Sequence, residues 1–125
     1  MQRRRRGRIL VVEDNADLRE SVTEILALHG FLASGVENGK AALDELEQSQ
    51  TLPALVLLDL TMPVMDGITF LHYFREIPRY RKIPVLIMTA QEAPRASEAE
   101  PVLRKPFTST SLLANVKRLL RERSD

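Results

Sequence analysis

Five short runs of apolar residues cross this chain, and between them apolar side chains recur at every third or fourth position. The first run, Ile9-Leu10-Val11-Val12, is partly β-branched and stops at Glu13-Asp14. That is the pattern of a strand buried on both faces of a parallel sheet. Leu18, Val22, Ile25 and Leu26 follow at helical spacing, and Gly30 is the stop signal. A weakly marked strand is expected from Phe31 to Ser34, and a helix from Gly39 to Gln48 carrying Ala41, Ala42, Leu43 and Leu46. Pro53 opens a third strand, Ala54 to Leu58, which ends on Asp59.

After the break from Pro63 to Gly67, Ile68, Phe70, Leu71 and Phe74 predict a third helix closed by Pro78. Ile83 to Met88 is a further apolar strand ending at Thr89. Residues 90 to 101, AQEAPRASEAEP, hold no large apolar side chain, so they predict at most one or two turns of exposed helix. Val102-Leu103 is a short fifth strand before Arg104-Lys105-Pro106. Leu112, Leu113, Val116, Leu119 and Leu120 mark a closing helix, with Thr108 or Ser109 as its N-cap.

Strand and helix thus alternate five times, and the strand runs are too continuous for an antiparallel sheet. The fold class is α/β, a doubly wound, five-stranded parallel sheet. Right-handed crossovers bring all five strand carboxyl ends to one edge, outside which ligands bind in such folds.

Composition narrows the chemistry. The chain has 125 residues, 44% hydrophobic and 28% charged, which fits one globular domain. It has no cysteine, so thiolate metal sites and nucleophiles are excluded. No apolar stretch is long enough to cross a bilayer and nothing resembles a signal peptide, so a cytoplasmic protein without membrane contact is expected. Net charge is +1, but residues 1 to 8, MQRRRRGR, hold five arginines and no acid. Residues 1–7 are expected to be a solvated, disordered basic leader preceding a domain at 8–123. Nucleic-acid binding is expected only weakly, through that leader.

Each strand can be asked what it presents at its carboxyl end. The first offers Glu13 and Asp14, the third Asp59, the fourth Thr89, the fifth Lys105. Two carboxylates about 4 Å apart repel by roughly 4 kcal/mol at an effective dielectric near 20. Three of them on one rim therefore call for a cation or a raised pKa. Hard oxygen ligands without His or Cys point to Mg²⁺, which uses its remaining positions for water and phosphate oxygens. Taken singly, Asp14 also reads as a helix N-cap, Thr89 as a turn residue and Lys105 as a solvated side chain. Asp66, before Gly67, reads as turn or cap chemistry.

With these residues in place the chain resembles the receiver domains of two-component response regulators across residues 8 to 121. The resemblance is carried by VVEDN at 11 to 15, LLDLTMPVMDG at 57 to 67, VLIMTA at 85 to 90 and LRKPF at 103 to 107, with ENGKAAL at 37 to 43 in support. It implies the flavodoxin-like (βα)5 fold with strand order 2-1-3-4-5. It implies that Asp59 accepts a phosphoryl group from a phosphohistidine, on a histidine kinase or a histidine phosphotransfer protein. Glu13, Asp14, Asp59 and the backbone carbonyl of Thr61 match the Mg²⁺ ligands. Thr89 and Lys105 match the hydroxyl and amine that contact the phosphoryl oxygens, and Lys105–Pro106 is a candidate cis peptide. Ala90 is small and leaves phosphodonors a path, while Thr61 and Gln91 sit where they can steer hydrolytic water. Such a domain is not an enzyme beyond its own phosphorylation and dephosphorylation, and it signals through a downstream protein.

Two departures from the family pattern bear on output. An aromatic residue usually stands where this chain has Val102, so a ring-flip switch cannot operate. The stretch from Thr89 to Lys105 is also short by more than one helical turn, which predicts that the family's fourth helix is reduced to a mobile loop ordered on phosphorylation. Two other readings stay open at this point. One is a phosphorylation-independent pseudo-receiver acting as a binding module. The other is a small Mg²⁺-dependent phosphohydrolase, which would want a second carboxylate where Thr61 stands.

Overall fold

The computed structural model describes residues 7–90 and 100–124. The expected leader, Gly7 apart, the expected loop from 91 to 99 and the candidate residue Gln91 lie outside the described residues. Five strands form one sheet: β1 (Arg8–Val12), β2 (Leu32–Val36), β3 (Leu55–Asp59), β4 (Val85–Thr89) and β5 (Val102–Arg104). Their order is β2-β1-β3-β4-β5 and every pair is parallel, as the alternation of elements predicts. Four α-helices are described: α1 (Ala16–Leu28), α2 (Gly39–Gln48), α3 (Gly67–Glu76) and α4 (Ser109–Ser124). A single 3₁₀ turn, Pro78–Tyr80, follows α3.

Side chains alternate across the central strands, which divides the core in two. Leu10, Val12, Val56, Leu58, Val85 and Ile87 face α2 and α3 with Ala42, Leu46, Phe70 and Phe74. Ile9, Val11, Leu55, Leu57, Leu86 and Met88 face α1 and α4 with Val22, Leu26, Leu112 and Val116. The unbroken apolar runs Ile9–Val12, Leu55–Leu58 and Val85–Met88 are therefore required by two covered faces. Phe74 ties the first half together, stacking on Phe70 at 5.2 Å and on Tyr80 at 5.3 Å between ring centroids.

Each helix starts at the carboxyl edge of the sheet on a polar cap. Asn15 Oδ1 accepts from the Leu18 amide, Asn38 Oδ1 from Ala41, Asp66 Oδ1 from Thr69 and Thr108 Oγ1 from Ser111, all at 2.8–3.0 Å. Such caps are each worth about 1 kcal/mol. Asp66 is the cap its sequence context predicts, and Thr108 rather than Ser109 caps α4. The cap of α1 is Asn15, not Asp14: β1 ends at Val12 as expected, and three residues, Glu13 to Asn15, link it to a helix that begins at Ala16. Gly30, at φ 89°, ends α1 as expected: its amide donates to Ala27 O and that of Phe31 to Leu26 O.

The second strand runs from Leu32 to Val36, later than the expected Phe31 to Ser34. Phe31 precedes the strand; its amide closes the α1 terminus on Leu26 O and its side chain is buried beneath it. The Lys105–Pro106 peptide is cis, as the resemblance suggests.

Candidate functional site

Apolar β1 and β3 run side by side, with Val12 beside Leu58, so their carboxyl ends deliver Glu13, Asp14 and Asp59 to one place. Carboxylate oxygens of the three lie within 4.8 Å of one another. Asp59 is 5% exposed and Glu13 1%, whereas Asp14 is open to solvent. From the other side β4 and β5 bring Thr89 and Lys105, joined by a 2.8 Å bond from the Lys105 amide to the Thr89 carbonyl. Thr89 is buried.

Lys105 is the cation the acids meet. Its Nζ lies 2.9 Å from Glu13 Oε1 and 3.6 Å from Asp59 Oδ1. Asp59 Oδ1 also accepts from the Thr61 amide at 3.2 Å, and Glu13 Oε2 from the Asn15 amide at 3.1 Å. One ammonium does not balance three carboxylates. Burial first, then the charge of Glu13, push the Asp59 carboxyl up to about 6 from an ordinary 3.8, against the opposing pull of the Thr61 amide and Lys105. At neutral pH the site thus holds the ionised carboxylate at a cost that a further cation would offset.

The turn after β3 shapes the rim. Gly67 packs directly on the backbone of the site: a Cβ there would lie 2.6 Å from both the Asp59 carbonyl oxygen and Leu60 Cα. Its amide donates to Leu60 O at 3.0 Å. Thr61 follows on the exposed side of this turn. Beside Lys105 a depression of about 400 Å³ is lined by Leu18, Ala90, Lys105, Pro106 and Phe107. Val102 stands half open at the start of β5, paired with Ile87.

These observations place Glu13, Asp14, Asp59, Thr89 and Lys105 together, with Thr61 and Ala90 at the margin. The family model of the response regulator receiver domain matches residues 9–117. The chain belongs to that family.

Among curated relatives, the phosphate regulon transcriptional regulatory protein PhoB of Escherichia coli is 35% identical over 120 residues. That alignment covers 91% of this chain and 52% of PhoB. The CpxR homologue of Haemophilus influenzae is also 35% identical, over 92% of this chain and 51% of its own. The chain therefore spans about half the length of the curated relatives it matches. Among solved structures, the receiver domain of a signal transduction histidine kinase from Syntrophus aciditrophicus superimposes with TM-score 0.83 at 32% identity, covering 93% of this chain and 91% of that one. The Vibrio cholerae chemotaxis protein CheY4 gives TM-score 0.83 at 26% identity, over 91% and 98%. This receiver has no helix, among the described residues, long and apolar enough to cross a membrane.

Sequence reasoning passed over one residue of this receiver that touches the acidic pair's backbone and a second that makes room for it. Arg19 Nη1 donates to the Glu13 carbonyl at 2.8 Å, and Gly35 lies under the stem of Arg19. A glycine inside a strand is the available signal, since it marks close approach by another group.

Proposed function

We propose that this receiver accepts a phosphoryl group on Asp59 from a histidine kinase or a histidine phosphotransfer protein, in a Mg²⁺-dependent reaction, and passes the signal to a downstream protein. The observation that carries the reading is a nearly buried Asp59 whose carboxylate shares its surroundings with Glu13, Asp14 and the Lys105 ammonium. The domain so used is residues 8–123, preceded by a basic leader at 1–7, and it works in the cytoplasm.

The donor set fits the cation. Three carboxylates with one lysine leave negative charge uncompensated, and all the ligand atoms are hard oxygens. Glu13, Asp14, Asp59 and the carbonyl of Thr61 would hold Mg²⁺, which when bound supplies charge neutralisation for the acyl phosphate and its transition state. An oxygen of ionised Asp59 attacks phosphorus in line; the P–N bond of phosphohistidine breaks, and its electron pair leaves with the imidazole. Lys105 compensates the charge gathering on the phosphoryl oxygens, and the Thr89 hydroxyl hydrogen-bonds one of them. Ala90 and the depression beside Lys105 leave room for the donor ring. Asp59 needs no general base once ionised.

Thr61 and Gln91 set the lifetime of the phosphorylated state by placing water against phosphorus. Exchanging both and finding the dephosphorylation rate unchanged would remove that role. Output cannot run through a rotating ring at position 102, because valine has none.

Incubation with acetyl phosphate, with and without Mg²⁺, tests the core of the reading by intact mass. The expected result is a gain of one phosphoryl group that requires both Mg²⁺ and Asp59, and that Asp59→Asn abolishes. A folded protein that gains nothing, or that gains equally in Asp59→Asn, overturns it.

A further inference from the structure

The Glu13–Asp14 peptide is held by more than its strand. Its carbonyl, Glu13 O, accepts from Arg19 Nη1 at 2.8 Å, and the amide on the other side of Glu13 donates to Val36 O at 3.0 Å. Arg19 belongs to the first turn of α1, and its side chain reaches this carbonyl by lying across the edge strand β2. The path exists because residue 35 has no side chain. A Cβ built on Gly35 would sit 2.7 Å from Arg19 Cγ and 2.9 Å from its Cδ. Gly35 does not have a positive φ, so it is present for space rather than for an unusual turn.

The bond has a direct geometric consequence. Glu13 O and the Asp14 nitrogen belong to one planar peptide group. Fixing the carbonyl therefore fixes the plane from which the exposed Asp14 side chain departs. Glu13 has its own anchors in Lys105 and the Asn15 amide. Asp14, exposed to solvent, projects from this peptide toward Asp59. We propose that Arg19, admitted by Gly35, is a positioning residue that sets the acidic pair for its cation. The inference rests on the Mg²⁺ site proposed above and extends it to a residue pair outside the carboxylate cluster.

Two routes to the same loss make the test sharp. Arg19→Met keeps the aliphatic stem and removes the donor. Gly35→Ala removes no hydrogen bond and suits a strand better than glycine does, but it pushes the Arg19 stem away. The probe is Mg²⁺ alone, titrated by calorimetry into the full chain, with urea unfolding measured in parallel. Removing a partner that orients a metal ligand typically weakens metal binding about tenfold or more. Arg19→Met and Gly35→Ala are each expected to raise the Mg²⁺ dissociation constant about tenfold. The double variant should be no weaker than either single, and Arg19→Lys, which keeps an N–H donor, should recover part of the loss. Dissociation constants unchanged in both single variants overturn the proposal, even where unfolding midpoints fall, because that pattern belongs to a purely structural arginine. If the unaltered chain takes up no Mg²⁺, the cation site itself is refuted and this proposal with it. Native binding with equal binding by the variants refutes only the role of Arg19.

Discussion

Replacing Asp59 by asparagine should make the cation-depleted protein more stable at neutral pH, although it removes the residue on which the proposed function centres. The reason lies in the raised pKa. Burial and Glu13 move the Asp59 carboxyl from 3.8 to about 6, so the native state holds this proton more tightly than the unfolded chain does. Between those two values the native state binds more protons than the unfolded state, and stability falls as pH rises. Above about pH 6 the full penalty is present; below about pH 4 it vanishes. Two pK units at about 1.4 kcal/mol each make the penalty about 3 kcal/mol at most. Asparagine is isosteric with the neutral acid and keeps an oxygen for the Thr61 amide. Lys105 loses one partner at 3.6 Å but retains Glu13 at 2.9 Å.

The expected gain is thus about 2–3 kcal/mol at about pH 7.5, shrinking toward zero near pH 4. Urea unfolding of both proteins in chelator, at a series of pH values, measures it. Adding Mg²⁺ should then close the gap, because only the native carboxylate set binds it well; at 100-fold over its dissociation constant the linkage is worth about 2.7 kcal/mol. An Asp59→Asn protein no more stable than its parent at neutral pH refutes the reasoning. So does a gap that does not change with pH.

The remaining predictions concern the frame around that carboxylate. Lys105→Met leaves Glu13, 1% exposed, without its ammonium, and should lower stability at neutral pH by about 3–5 kcal/mol, the usual result of stranding one member of a buried pair; a loss below about 1 kcal/mol in urea unfolding would show Glu13 to be well solvated. Gly67→Ala drives a methyl group into the Asp59 carbonyl and Leu60 backbone, so unfolding midpoints should show a loss of about 1–3 kcal/mol, with slowed acetyl phosphate labelling because the Asp59 backbone must move. Val64 has φ 69° and is 78% exposed, with the Met65 amide donating to Pro63 O across it at 2.7 Å. A β-branched residue in that tight turn is strained, so Val64→Asn should raise stability by about 1 kcal/mol in the same assay; a decrease would show that the valine side chain contributes something the turn geometry hides.

Much of this molecule is legible without coordinates, for a definite reason. β1, β3 and β4 are covered on both faces, so burial demands an unbroken apolar run, and the first polar residue after each run necessarily stands on the rim. Glu13, Asp59 and Thr89 are legible that way, with Asp14 next to Glu13, and the topology that unites them follows from crossover handedness. The reading weakens where one of these demands relaxes. β2 lies at the sheet edge with Leu32 and Gly35 exposed, so its pattern carries little constraint and its limits were placed too early. The choice between Asn15 and Asp14 as cap turns on a single residue of the link between β1 and α1, which composition does not encode. Val64 offers no signal in the sequence at all, since any residue type can occupy a loop on paper.

The arginine and glycine beneath the acidic pair illustrate a deeper limit. Positions 19 and 35 lie in different elements, and their relation exists only because α1 and β2 lie next to each other in the folded sheet. Each alone has an ordinary explanation, a solvated helix arginine and a weak spot in an edge strand. Together they hold one peptide plane. The carboxylates themselves could be inferred from charge repulsion, because repulsion depends on residue type. Their aim depends on backbone orientation, and the groups that set it are neutral carbonyls contacted from a distance in sequence. Residues that carry chemistry are thus written in composition and position, whereas residues that orient them become visible only through what a missing side chain allows to pass.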